Sequence, residues 1–169
     1  MINFPESLPD SARIWINPVN RNLTSEEQGR ILESLSKFVA NWSSHGRKVV
    51  AEAAIAADRF VITAAHVPGG DVSGCGIDAS VHALSGIAND LNFEWASALD
   101  VFFKLENVVR QADRATFSKL ALRGTVSPDT MVYDTSLTTL GDLRQGRFEL
   151  PARQSWHGRV FRFESETVS

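Results

Sequence analysis

A chain of 169 residues with 43% hydrophobic content is long enough to bury a sizeable core, and its length is that of one domain. The formal charge of −3 gives no general attraction to phosphate backbones or anionic lipid, so neither a nucleic acid nor a membrane is an expected partner. The one cysteine cannot form an intramolecular disulfide, which fits a reducing, cytoplasmic setting.

In chain order, Met1-Ile2-Asn3-Phe4-Pro5-Glu6 lacks the basic and apolar regions of a signal peptide, and no apolar run approaches membrane-spanning length, so export and insertion are not expected. Arg13-Ile14-Trp15-Ile16 alternates as a strand and Asn17-Pro18 closes it. Thr24-Ser25-Glu26-Glu27 has the capping-box form, in which a hydroxyl and a carboxylate satisfy each other's backbone donors. A helix follows, with Ile31, Leu32, Leu35, Phe38, Val39 and Trp42 as its core stripe and His45-Gly46 as its stop. Residues 49–55 and 60–65 read as a hairpin turning at Ala57-Asp58.

After the break at Gly69-Gly70, the residues Ile77, Val81, Leu84, Ala88 and Leu91 mark a second amphipathic helix that begins just after Cys75. Val101-Phe102-Phe103-Lys104-Leu105 is another strand. The order strand, helix, strand, strand, helix, strand predicts an α+β fold, a ferredoxin-like βαββαβ core over about residues 12–110 of a single domain. An extension over residues 111–163 adds a short helix from Asp113 to Gly124, the strand Met131-Val132-Tyr133 and a docked aromatic end.

Ser73-Gly74-Cys75-Gly76-Ile77-Asp78 is the most chemically suggestive element. A helix start presents unpaired N–H groups with partial positive charge, and flanking glycines allow close approach, so an anion can be held there or a thiol made acidic. Equally, Ser73 or Asp78 caps the helix and Cys75 is a small buried hydrophobe. Asp78, His82, Ser85 and Asn89 continue one helical face as a polar, solvated stripe. His82 lies on the order of 10 Å along the axis from Cys75, too far to activate it. An activating histidine would be His45, His66 or His157. The histidine and cysteine spacings match no compact metal site, and neither a metal nor a cofactor is expected. On the first strand, Arg13 and Trp15 share one face, which is either open to a ligand or partner or covered by the C-terminal extension.

Ala12-Arg13-Ile14-Trp15, Asn20-Arg21, residues 38–46 with Trp42 and His45-Gly46, Ser73-Gly74-Cys75-Gly76-Ile77-Asp78 and Ser155-Trp156-His157-Gly158-Arg159 together resemble a small family of uncharacterised bacterial proteins often labelled ABC transporter ATPase. The resemblance spans nearly the whole chain and implies that these motifs belong together around one pocket; it implies no catalytic residues. The chain departs from the label itself. No Gly-x-x-x-x-Gly-Lys-Ser/Thr is present, and Leu84-Ser85-Gly86 is a scrap of a transporter signature inside an amphipathic helix, so P-loop hydrolysis is excluded. Residues 117–133 also resemble the helix-to-strand half of GYF-type peptide-binding domains, without that fold's remaining pattern.

Three functional expectations follow. The first is a binding or regulatory domain for a small anionic ligand or a protein partner at the start of the second helix, with contacts from Arg13, Trp15, Arg21, His45, Ser73, Gly74, Gly76, Asp78, Trp156, His157 and Arg159. The second is a thiol-dependent enzyme with Cys75 as its nucleophile. The third is a structural module that homodimerises through an open sheet face.

Overall fold

The computed structural model describes residues 2–164, with the side chains of Gly74 and Cys75 outside that description. Helices and antiparallel strands are mixed throughout, as an α+β chain requires. Two compact units form among the described residues: 2–96 together with Thr138–Arg144, and Ser97–Leu137 together with 145–164. Among the described residues, no helix is long and apolar enough to cross a membrane.

In the first unit, β1 (Arg13–Pro18) runs to a proline that cannot donate to a ladder. Thr24 then starts α1 (Ser25–Ala40): its hydroxyl accepts from the Glu27 N–H, and the Glu27 carboxylate accepts from the Thr24 N–H. Ile31 and Leu35 are the buried residues of its stripe. The helix ends at Asn41, earlier than the sequence suggests. His45-Gly46 is no helix stop: with φ of 51° and 75° these residues form the turn between β2 (Ser43–Ser44) and β3 (Arg47–Lys48). A histidine followed by glycine satisfies either role, because both need a left-handed residue.

The hairpin of β4 (Val50–Ala56) and β5 (Phe60–His66) turns at Ala57 and Asp58, both left-handed. The buried Arg59 secures it, donating from Nε to the Val19 carbonyl at 2.9 Å and from Nη2 to that of Asn20 at 3.1 Å. Burial pushes this guanidinium's pKa down from its ordinary value. The strand order is β1-β5-β4, all antiparallel, so the hairpin inserts its second strand beside β1.

The pairing of Trp15 with Thr63 and of Asn17 with Val61 places those side chains on one face of the sheet. On that face α1 and α2 (Gly74–Leu91) bury Ile31, Leu35, Val61, Leu84 and Ile87 in one cluster, with Trp15 packed into its neighbour around Trp42. The Arg13/Trp15 face is therefore the helix-covered one and is not open. Ile14, Ile16, Phe60, Ile62 and Ala64 on the opposite face are buried as well.

The second unit begins with β6 (Val101–Leu105), which turns at Glu106 and Asn107, φ 51° and 61°, into β7 (Val108–Ala112). Asp113 caps α3 (Arg114–Leu122) by accepting the Thr116 N–H at 2.7 Å, and Gly124 follows in the left-handed region. β8 (Met131–Tyr133) and β9 (Glu149–Pro151) complete a sheet of order β7-β6-β8-β9. Val101–Leu105 thus does not become the fourth strand of the first sheet; it pairs with β7 and β8 in this second one. Local pattern identifies the strand, but its partners lie in segments that pattern does not link. Phe103, Phe117, Val132 and Phe161 centre the core under α3.

Candidate functional site

The start of α2 is built from one local cap and two contacts between residues far apart in sequence. Ser73 is the N-cap, its hydroxyl accepting the Gly76 N–H at 3.2 Å, and its own N–H is donated to the hydroxyl of the buried Ser44 at 2.8 Å. The Trp42 indole N–H donates to the Gly76 carbonyl at 3.1 Å. A Cβ at position 76 would lie 3.1 Å from Val72 Cγ1 and 3.3 Å from Trp42 Nε1. The glycine is there for closeness of packing.

Beneath this helix start the aromatic rings form a chain. Trp42 stands 5.1 Å from Phe38 and 6.3 Å from Trp15, ring centre to ring centre. The Arg13 guanidinium lies over Trp15 at 5.3 Å and reaches the Asp71 carboxylate at 3.7 Å. That carboxylate also accepts the Val72 N–H at 2.7 Å. On the other side, Arg47 Nη1 donates to the Gly69 carbonyl at 3.0 Å. Two arginines thus grip the approach to α2, one at each end of residues 69–71.

Of the residues named from sequence, the structure sets Trp15 and Gly76 against Trp42, with Arg13 over Trp15 and Ser73 capping α2 at Gly76. His45 sits exposed at the turn adjoining Ser44. Asp78 is exposed on α2, as are His82, Ser85 and Asn89, which form a solvated stripe. Arg21 is committed elsewhere: it makes a bidentate contact with Glu27, at 2.7 and 2.9 Å, at the start of α1. The guanidinium holds that carboxyl down at about 2, helped by the Thr24 N–H. The side chains of Gly74 and Cys75, the candidate nucleophile, lie outside the described residues.

Sequence reasoning missed Ser44, Arg47 and Asp71. Reading His45-Gly46 as a hairpin turn would have exposed the first two, since such a turn pairs Ser44 with Arg47.

Trp156, His157 and Arg159 belong to the second unit. His157 is 1% exposed, stacked on Trp156 at 3.8 Å and hydrogen-bonded through Nδ1 to the Ser155 hydroxyl at 2.9 Å. Burial lowers its pKa to about 4; the neighbouring Asp134 works against that shift and Arg114 adds to it. Trp156 Nε1 donates to Asp134 at 3.2 Å, and the Arg114 guanidinium covers the indole at 5.1 Å. Although a serine beside a histidine resembles a nucleophile and its base, both are buried and two residues apart in a tight turn. Their arrangement docks the chain. Arg159 is exposed.

No family model, curated protein or solved structure matches this chain.

Proposed function

We propose that the chain is a cytoplasmic binding domain whose first unit holds a small anionic ligand, bearing carboxylate or phosphate groups, over the approach to α2. The observation that carries this reading is the pair of arginines on residues 69–71, Arg13 at Asp71 and Arg47 at Gly69. A guanidinium presents a planar fork suited to such anions. In the free protein Asp71 occupies the Arg13 end. Its contact is long, and the two side chains are 40% and 70% exposed, so it is worth little, about 0–1 kcal/mol. A ligand anion can displace it at small cost.

Trp15 beneath the guanidinium keeps Arg13 aimed at the loop, and the positive end of α2 adds to the same field. Calorimetric titration with inorganic phosphate, pyrophosphate and citrate tests the reading. Binding should be seen for at least one of them, should weaken about tenfold on Arg13→Ala or Arg47→Ala, and should tighten on Asp71→Asn. Flat titrations for all three anions, or binding indifferent to both arginines, would sink it.

A further inference from the structure

The second unit contains a groove of about 530 Å³ between α3 and the β6–β7 hairpin, unrelated to the Arg13–Arg47 loop. Its floor is apolar, from Phe103, Leu105, Ala112 and Leu120. The antiparallel register pairs Phe103 with Arg110 and Leu105 with Val108, so Arg110 and Val108 stand on the same face as that floor. Val108 is 42% exposed, and it carries the apolar surface past the groove's end.

Arg110 is exposed on the rim and has no ion-pair partner among the described residues. Glu106, in the hairpin turn, marks one end of the groove, and Arg110 stands between that turn and Ala112. The groove thus carries a carboxylate at its turn end and a cation partway along it. Among the described residues of this unit, Lys and Arg outnumber Asp and Glu, whereas the first unit has the opposite balance.

We propose that this groove docks a short segment of a partner protein carrying apolar side chains beside an acidic one. The trough is open to solvent and cannot surround a small molecule as enclosed ligand sites do, but it can receive the side chains of a segment laid across it. Apolar side chains cover Phe103, Leu105, Ala112 and Leu120; the acidic group pairs with Arg110 and is kept from the turn end by Glu106.

The test uses two synthetic peptide pools, each with alternating Leu, Phe, Val and Met, one carrying Asp or Glu at the intervening position and the other Lys or Arg. The acidic pool should shift the backbone amide resonances of Leu105, Arg110, Ala112 and Leu120 in the full chain, and the basic pool should not. Arg110→Glu, an exposed change that leaves the core intact, should weaken the acidic pool about tenfold and admit the basic one. Leu120→Lys should abolish the response to the acidic pool at an unchanged thermal midpoint; if the midpoint falls, Thr116→Lys on the same wall takes its place. Equal responses to the two pools, no response to either, or shifts confined to residues outside the groove would overturn the proposal. Self-association that Arg110→Glu abolishes would overturn it too, in favour of a second copy of this chain.

Discussion

The Trp42 indole donates to the Gly76 carbonyl across 34 residues of sequence, tying the segment after α1 to the first turn of α2. Two consequences meet at this contact. Alanine is ordinarily favoured over glycine within a helix by about 1 kcal/mol, yet a Cβ at position 76 would crowd Trp42 Nε1 at 3.3 Å. Trp42 is buried between Phe38 and Trp15 and cannot yield. Gly76→Ala should therefore destabilise by about 1–2 kcal/mol in urea unfolding. Trp42→Phe removes the donor and the Nε1 contact together, at a cost of about 1 kcal/mol for the lost hydrogen bond, and leaves Val72 Cγ1 at 3.1 Å as the remaining close contact. In that background Gly76→Ala should cost less than in the parent, with the Val72 contact alone left to relieve, a coupling that a double-mutant cycle reads directly. Additive losses would show that the contact does not govern the site.

Gly158 presents a harder constraint. An added Cβ would meet the Ala152 carbonyl oxygen at 2.7 Å and the Arg153 Cα at 2.8 Å, and both are backbone. Backbone cannot swing aside as a side chain can, so Gly158→Ala should cost about 3 kcal/mol. The loss should be local, releasing the turn that carries Ser155, Trp156 and His157. Trypsin should then cut at Arg159 and Arg162 well before the rest of the chain is degraded, whereas the parent protein resists at those sites.

Ala57 offers a gain. Its φ of 49° is unfavourable for a residue with a Cβ and no side-chain group to compensate. Asparagine tolerates this conformation and is favoured at such turns, so Ala57→Asn should stabilise by about 0.5–1 kcal/mol, seen as a raised thermal midpoint. An unchanged or lowered midpoint would mean that the turn is not strained there.

The elements that sequence reveals are those closed by short-range chemistry. Thr24, Ser73 and Asp113 each accept the N–H of the residue three positions on, a bond that a four-residue window contains. The helices they start are therefore legible. Strand destinations are not, because the pairing of Phe102 with Tyr133 depends on what intervening segments do. β7 was harder still: its turn, Glu106-Asn107, lacks glycine, and Val-Val-Arg-Gln-Ala has no clean alternation. The candidate site divides in the same way. Ser73 could be read from its neighbours, whereas Ser44, Arg47 and Asp71 enter only when a hairpin and a loop meet. Alternation in β1 separates Arg13 and Trp15 from Ile14 and Ile16, but it does not say which face the helices cover.

His157 supplies the pH dependence expected of the second unit. Its folded pKa is lowered from 6.5 to about 4, chiefly because burial disfavours the imidazolium. Between those values the unfolded chain binds a proton that the folded chain does not, so stability rises with pH over this window and is lost as pH falls from about 6.5 towards about 4. The full loss is on the order of 3 kcal/mol, and below the folded pKa the slope from this group vanishes. Urea unfolding at intervals across the window should show that decline. His157→Phe keeps an aromatic ring against Trp156 and Phe117 but cannot titrate. It should be less stable at neutral pH, because the buried Ser155 hydroxyl loses its partner, yet its stability should be flatter between pH 4 and 6.5 than that of the parent. An identical slope in the two proteins would mean that some other group takes up the proton.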